Sequence, residues 1–271
     1  MTADLVTSII QAAEWYEANC GPLPEDFAMK LRDKREPGRR RKEQAELKLT
    51  AIIKRMFRRQ KAKVAAQLAM MHPDRKALNT LDDIDLTDEE AMAELIAEIV
   101  MATRDGVNLF DENVNLTLDY TATNTEAAEW ARKYGYDLVR KIDKQTVDAL
   151  KQAISAFVET PGMTIGQVMD MLPFDDQRAL RVATTEITRT YAQGQQMAGE
   201  ALAKEFPDVK VKKRWFTNND DRVCELCGSL NDNEVEIDED FYEPEDDYQD
   251  GNPPRHVFCR CWTTTYTDIG D

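Results

Sequence analysis

The C-terminal cysteine and histidine residues constrain the fold of this chain more than any other feature. They follow the pattern Cys224-x-x-Cys227, then 28 residues, then His256-x-x-Cys259-x-Cys261. A two-residue gap lets two side chains at a tight turn reach one tetrahedral ion, and a second pair completes the coordination. Thiolate and imidazole ligands in this arrangement favour Zn2+. The pattern therefore predicts a structural zinc site.

The preferred ligands are Cys224, Cys227, His256 and Cys259, because each pair then has the same two-residue gap. Cys261 is an alternative fourth ligand, since in a strand it would lie on the same face as Cys259. Two other interpretations stay open. One is a set of buried thiols without a metal. The other is a redox pair, for which a Cys-x-x-Cys at the start of a helix near a βαβ unit is expected.

The rest of the sequence is typical of a cytosolic protein. No segment approaches the ~18 to 20 consecutive apolar residues of a membrane span, and the N-terminal segment carries acids where a signal peptide carries lysines. Because cytosolic thiols stay reduced, clustered cysteines there favour metal binding over disulfides.

Two structural units are expected from the length. The 271 residues are about twice the ~100 to 150 residues of a typical domain. The first two thirds show helical periodicity, whereas the segments VKVKKRWF and FCRCWTTTYT are typical of strands. The fold class is therefore α+β: a mainly helical body followed by a small β-rich, zinc-stapled C-terminal domain. The predicted boundaries are 1–42 for an N-terminal helix and basic linker, 43–206 for the helical body, and 207–271 for the Cys/His zinc-binding-like domain.

A strongly basic segment lies near the start of the chain. The net charge is −16, yet residues 30–63 alone carry +11, and residues 231–250 carry −11. A short helix is predicted over 1–19, an extended linker over 33–43, and an amphipathic helix with a basic side over 43–71. A solvated helix face and a nucleic-acid contact explain this basic side about equally well. The candidate nucleic-acid-binding residues are Arg39, Arg40, Arg41, Lys54, Arg55, Arg58 and Arg59.

The acidic segment 231–250 separates the two pairs of predicted metal ligands. It lacks the residue order of a calcium-binding loop. We interpret it as a solvated insertion, with an acidic docking surface for a basic partner as the alternative.

The middle of the chain is predicted to be helical with one interruption. Thr87 and Glu90 have the spacing of a capping box, which begins a helix that runs to about Thr103. Alternating apolar residues over 107–120 then indicate an extended stretch or a short strand. Further helices are predicted over 125–142, 145–159, 164–172 and 176–205.

The last of these helices has an apolar face and a polar band near its start. Glu186 and Arg189 are three residues apart, and we interpret them as a helix-stabilising ion pair rather than a catalytic pair. The polar band comprises Arg178, Arg181, Thr184, Thr185, Glu186 and Arg189.

No catalytic constellation is apparent in the sequence. The chain has two histidines and lacks a phosphate loop, a Gly-x-Ser-x-Gly elbow and a His-Glu-x-x-His helix. A zinc site with four or five soft ligands is closed, whereas hydrolytic zinc keeps a position open for water. The chain is therefore not expected to be an enzyme.

The C-terminal motif resembles the Mu F-like minor head protein family of tailed phages, also called head morphogenesis proteins. The resemblance covers about residues 125–267. It depends on the order and spacing of motif residues, which are Arg178-Ala179, Val182-Ala183-x-Thr185-Glu186, Arg189, Gly194, Trp215-x-Thr217, Asp221-Arg222-Val223-Cys224-x-x-Cys227 and Pro253-Pro254-x-His256-x-x-Cys259-Arg260-Cys261.

This resemblance implies a low-copy virion component that associates with the portal protein and other phage head proteins. It would assemble in the host cytoplasm and reside in the head interior or at the portal vertex. A role in DNA packaging or ejection, with contact to phage DNA, stays open. The alternative function is a zinc-containing nucleic-acid-binding protein that acts outside particles.

Overall fold

The computed structural model describes residues 35–71, 85–114, 121–160, 162–218, 223–243 and 248–268. The predicted helix over 1–19 lies outside them. The helices of the body are α1 (Arg39–Met71), α2 (Glu89–Val114), α3 (Thr121–Glu159), α4 (Ile165–Asp170) and α5 (Asp176–Glu205). The C-terminal part contains β1 (Lys210–Phe216), α6 (Glu225–Gly228), β2 (Glu234–Glu236), β3 (Phe241–Glu243), β4 (Tyr248–Asp250) and β5 (Trp262–Asp268).

Helices α2 and α5 cross at the centre of the body with their backbones in contact. A Cβ atom added to Gly194 would lie 2.1 Å from the carbonyl oxygen of Thr103, and one added to Gly106 would lie 2.4 Å from that of Tyr191. Only glycine permits so close an approach of two helices at these positions. At this crossing, α5 lies where it contacts both the other helices and the C-terminal sheet.

The main apolar core lies between α1, α2, α3 and α5. Leu49, Ile53 and Met56 of α1 are fully buried, as the periodicity predicts. Helix α1 begins at Arg39 rather than at residue 43, so the end of the predicted linker is helical. Its start is anchored by a buried ion pair between Lys42 and Glu36, with a nitrogen–oxygen distance of 2.5 Å. A buried ion pair needs both side chains held in place, and the start of α1 holds Lys42 where a solvated extended linker would not.

The predicted extended stretch over 107–120 is wrong for its first part, because α2 continues to Val114. Val107 and Phe110 are fully buried in an apolar cluster with Ala198 of α5 and Val211 of β1. This packing favours the helix over the weak local alternation. Residues 115–120 lie outside the described residues.

Two other predicted helix limits also differ. The first helical turn of α2 is capped by Asp88, whose Oδ1 accepts a hydrogen bond from the amide of Ala91 at 3.1 Å, rather than by Thr87. The segments 125–142 and 145–159 form the single helix α3. Thr146, near the expected break, is buried, and its hydroxyl donates a hydrogen bond to the carbonyl of Ile142.

The C-terminal part is a small antiparallel sheet with the strand order β2-β1-β5. Strand β1 pairs along its length with β5, from Lys210 opposite Asp268 to Phe216 opposite Trp262. Strands β3 and β4 form a separate antiparallel pair. The mainly helical fold with a small C-terminal sheet confirms that part of the predicted α+β class. The change from helix to strand falls between Glu205 and Lys210, while the division into domains stays a prediction.

None of the helices in the described segments is long and apolar enough to cross a membrane.

Candidate metal centre

The first half of the centre is a tight turn that carries Cys224 and Cys227. Cys224 is the N-terminal cap of the short helix α6, and its Sγ accepts a hydrogen bond from the amide of Cys227 at 3.4 Å. The amide of Gly228 bonds to the carbonyl of Cys224 at 2.9 Å. The turn therefore directs both sulfur atoms to the same side.

The second half is the segment from His256 to Cys261, which leads into β5. The amide of Cys259 bonds to the carbonyl of His256 at 3.1 Å, which closes another tight turn. Phe258 has a φ of 64°, a left-handed conformation that is uncommon for a residue with a Cβ atom. The guanidinium of Arg255 donates to the carbonyl of Leu226 and links the two halves.

The two halves bring sulfur and nitrogen atoms to distances that suit a tetrahedral ion. The Nε2 of His256 lies 3.3 Å from the Sγ of Cys224 and 3.2 Å from that of Cys227. The sulfur atoms of Cys227 and Cys259 are 3.9 Å apart. Zinc–sulfur bonds of ~2.3 Å imply tetrahedral sulfur–sulfur distances of about 3.8 Å, whereas a disulfide needs ~2.05 Å.

All five predicted ligands thus lie in one cluster, but they form two overlapping groups. Cys224, Cys227 and His256 form one, and Cys227, Cys259 and Cys261 form the other, with ligand atoms within 4.8 Å in each group. Cys227 belongs to both. Either Cys259 or Cys261 can therefore complete a set of four, as the sequence left open.

The cluster is buried, as expected for a structural rather than a catalytic site. The cysteines are at most 4 % exposed, and with Trp215, Leu230 and Phe241 they make up the core of the C-terminal part. Trp215 and Phe241 pack edge to face with ring centroids 5.3 Å apart. Side chains of soft ligand type enclose the site and leave little room for a substrate.

The histidine and the cysteines of the cluster shift one another's pKa values. Burial opposes protonation of His256, but the nearby Cys259 thiolate and Cys224 outweigh it and raise the His256 pKa to about 9. The pKa of Cys224 is lowered to about 4, first by a hydrogen bond with Cys227 and second by contact with His256, although burial opposes the shift. A divalent cation would replace the imidazolium proton as the charge that stabilises the thiolates.

The outer contacts of the histidine also suit ligation through Nε2. Its Nδ1 lies 2.7 Å from the carbonyl oxygen of Val257. A hydrogen bond from Nδ1 to a carbonyl fixes the tautomer that leaves Nε2 free to bind a metal.

The redox interpretation has less structural support. Cys224 does open a helix, but α6 has only four residues, and the neighbouring sheet is antiparallel. The βαβ unit expected around a redox Cys-x-x-Cys is not found among the residues that the structure describes.

The candidate nucleic-acid residues on α1 are mostly engaged in ion pairs within the protein. Arg55 pairs with Glu94, Arg59 pairs with Asp88 and Glu90, and Arg41 pairs with Glu112. Their four acidic partners all precede or belong to α2 and bring four negative charges to a segment with a net charge of +11.

The remaining candidates on α1 differ in their contacts. Lys54 lies 2.8 Å from Asp176, and Arg39 lies 3.5 Å from Glu43. Arg58 donates to the carbonyl of Lys54, and Arg40 is exposed. Nucleic-acid binding by these residues stays a prediction.

Two residues of α5 that were not among the predicted site residues contact the centre. Thr185 and Thr188 bond to the backbone of Phe258 and Cys259. Both threonines are part of, or adjacent to, the polar band predicted on this helix, and Thr185 is also a motif residue. Helical periodicity places Thr185 in the polar band, and it does not reveal that both threonines are buried. The Glu186–Arg189 ion pair is confirmed at 3.4 Å.

Comparison with known families agrees with the resemblance stated above. A family model described as Phage Mu protein F like protein matches residues 141–264. The matched region runs from the second half of α3 through α5 to the metal centre and ends within the first half of β5. No curated protein sequence and no solved structure matches the chain. The family match supports a relationship of residues 141–264 to the Phage Mu protein F like family, which suggests a phage head morphogenesis protein.

Proposed function

We propose that the chain is a minor head protein that associates with the portal and acts in head morphogenesis. The observation that carries this proposal is the family match over residues 141–264. The match includes the metal centre and the helix that contacts it, so the proposed role involves the best-defined site of the described structure. Other phage head proteins are the expected partners, and the virion is the expected location after assembly in the host cytoplasm.

A structural Zn2+ held by Cys224, Cys227, His256 and Cys259 belongs to this proposal, with Cys261 as the alternative fourth ligand. Its support is the tetrahedral spacing of the ligand atoms and the small core around them. A sheet with so small an apolar core gains most of its stability from such an ion. The metal would act on folding, since a closed centre leaves no position for a reacting water.

Association with DNA during packaging or ejection has less support. The basic side chains of α1 that face α2 are paired with acids, which reduces the positive potential available to phosphate groups. We therefore base the proposal on protein partners in the head.

Copurification tests this function. Proheads and virions of the phage that encodes this chain would be purified and analysed by quantitative mass spectrometry, and the portal would be captured through an affinity tag. We expect a few copies per particle and recovery with the portal in both preparations. Absence from proheads and virions would contradict the proposed role in the head. Presence in particles without recovery on the captured portal would contradict only the portal association.

A further inference from the structure

Helix α5 holds the second half of the metal centre through two threonine side chains. We propose that Thr185 and Thr188 are positioning residues of this centre, which align the backbone that carries His256 and Cys259. This inference rests on the proposed metal site. It goes beyond it because neither threonine is a ligand.

Thr185 contacts the residue between the two ligands. Its Oγ1 accepts a hydrogen bond from the amide of Phe258 at 3.0 Å and donates to the carbonyl of Arg181 at 2.7 Å. Thr185 and Phe258 are both buried, at 7 % and 3 % exposure. Phe258 is the residue with the left-handed backbone, a conformation that persists where surrounding contacts fix it. The hydroxyl of Thr185 supplies such a contact.

Thr188 contacts a ligand residue itself. Its Oγ1 donates to the carbonyl of Cys259 at 3.3 Å, and its side chain is 2 % exposed. One turn of α5 thus binds the amide of Phe258 and the carbonyl of Cys259, on consecutive residues. The ring of Phe258 adds an apolar contact with Leu180, earlier in the same helix.

These contacts place the second ligand pair on a rigid element. Each pair has its own tight turn, and the second pair, which follows the long acidic segment, has in addition the two hydrogen bonds from α5. Polar groups just outside a metal's ligands orient them, and loss of such a group typically lowers metal affinity about 10- to 100-fold. The helical body therefore contributes to a metal site whose ligands all lie outside it.

The test compares valine and serine at each threonine in the full-length protein. Valine keeps the shape of threonine and removes the hydroxyl, while serine keeps the hydroxyl. Thr190→Val is the matched control, because Thr190 is buried in the same helix and its hydroxyl donates to the carbonyl of Ile187, within α5 itself. Zinc affinity is measured by competition with a chromophoric chelator. The absorption spectrum of the Co2+-substituted protein reports the ligand geometry.

We expect Thr185→Val and Thr188→Val to weaken zinc binding about 10- to 100-fold and to alter the cobalt spectrum. Thr185→Ser, Thr188→Ser and Thr190→Val should stay within about threefold of the unsubstituted protein. Unchanged affinity and spectrum in both valine variants, with one zinc bound per chain, would overturn the positioning role and leave the metal site intact. Failure of the unsubstituted protein to bind zinc would overturn both proposals.

A second measurement distinguishes a positioning role of the threonines from a purely structural one. Thermal unfolding is recorded for each variant with zinc and after chelation. A positioning residue reduces the stabilisation that zinc provides, whereas a residue that only supports the helix lowers both melting temperatures equally. Equal lowering in both valine variants would overturn the proposal. If one valine variant fails to fold, the valine variant at the other threonine gives the same comparison, with its serine variant as the control.

Discussion

The helical body and the C-terminal sheet have cores of different kinds. The main cluster of the body contains 19 buried residues from four helices, none of them cysteine. The cluster under the sheet contains seven, and four of these are cysteines. Apolar burial can stabilise the first core without a cofactor, whereas a core made largely of thiols gains little from burial alone. With the proposed zinc site, the chain would combine a self-sufficient part, the helical body, with a metal-dependent part, the C-terminal sheet.

The largest expected effect is the unfolding of the C-terminal sheet alone. Cys227→Ser removes the thiol that belongs to both ligand groups, so we expect loss of bound zinc and unfolding of the C-terminal sheet. Structural zinc contributes on the order of 10 kcal/mol to folding of small domains, so the loss should be nearly complete. Metal analysis and near-ultraviolet circular dichroism of Trp215 and Trp262 measure it. Cys20→Ser, outside the described residues, is the control and should retain one zinc per chain.

The next largest expected effect is a loss of stability of the helical body. Gly194→Ala places a methyl group 2.1 Å from the carbonyl oxygen of Thr103, with no flexible side chain to move aside. Overpacking of this kind costs about 1–3 kcal/mol or more, and the rigid backbone on both sides favours the upper end. Chemical denaturation measures the loss, and bound zinc should remain near one per chain.

Gly166→Ala is the matched control for this helix crossing. The nearest atom to its added Cβ is the hydroxyl of Thr164 at 3.7 Å, an ordinary contact. Alanine should stabilise α4 by up to about 1 kcal/mol, because it lowers the entropy of the unfolded chain. Equal stability of Gly194→Ala and the unsubstituted protein would contradict the close crossing of α2 and α5.

A smaller expected effect is a pH dependence of stability that belongs to the helical body. Burial raises the pKa of Asp143 in α3 to about 6, although a hydrogen bond from Gln60 opposes the shift. The folded body then binds more protons than the unfolded chain between about pH 4 and 6, so this group's contribution falls as pH rises through that window. At pH 7 its charge should cost about 1–2 kcal/mol after allowance for solvent screening.

Asp143→Asn should therefore stabilise the body at pH 7 and lose this advantage near pH 4. The measurement is the difference in unfolding free energy between the variant and the unsubstituted protein, both without metal, from pH 4 to pH 7. Asp137→Asn, on the same helix but exposed, is the control. A difference that does not change with pH would rule out the raised pKa.

The smallest effect concerns the basic side of α1. Arg59 forms exposed ion pairs with Asp88 and Glu90, so Arg59→Ala should lower the unfolding free energy only slightly. We expect its affinity for double-stranded DNA to be unchanged, because the guanidinium already has two acidic partners. A weaker affinity with a salt dependence reduced by about one phosphate contact would instead support the nucleic-acid hypothesis. Lys61→Ala, exposed on the same helix, controls for general loss of charge.

The sequence was most informative where spacing and chemistry agree. The two-residue gaps predicted the cluster of Cys224, Cys227, His256 and Cys259, because ligand spacing is set locally by tight turns. The apolar positions of α1 and α5 were also predicted, since helical periodicity determines which residues share a face. Both features depend on near neighbours in the chain.

The sequence was least informative where distant segments meet. Arg178 was assigned to a polar band, yet it is buried and donates to the carbonyls of Pro173 and Ile142. Val107 lies in a weakly alternating segment, yet its packing against α5 and β1 keeps it helical. In both cases, packing between helices outweighs the local pattern.

Hydrogen exchange before and after zinc chelation tests the difference between the two cores most directly. Amides of β1 and β5 should be protected in the zinc-loaded protein and lose most of that protection when the metal is removed. Amides of α2 and α5 around the Gly106–Gly194 crossing should keep theirs. Unchanged protection of β1 and β5 after complete removal of zinc, or loss of protection throughout the helical body, would contradict a metal-dependent sheet on a self-sufficient body.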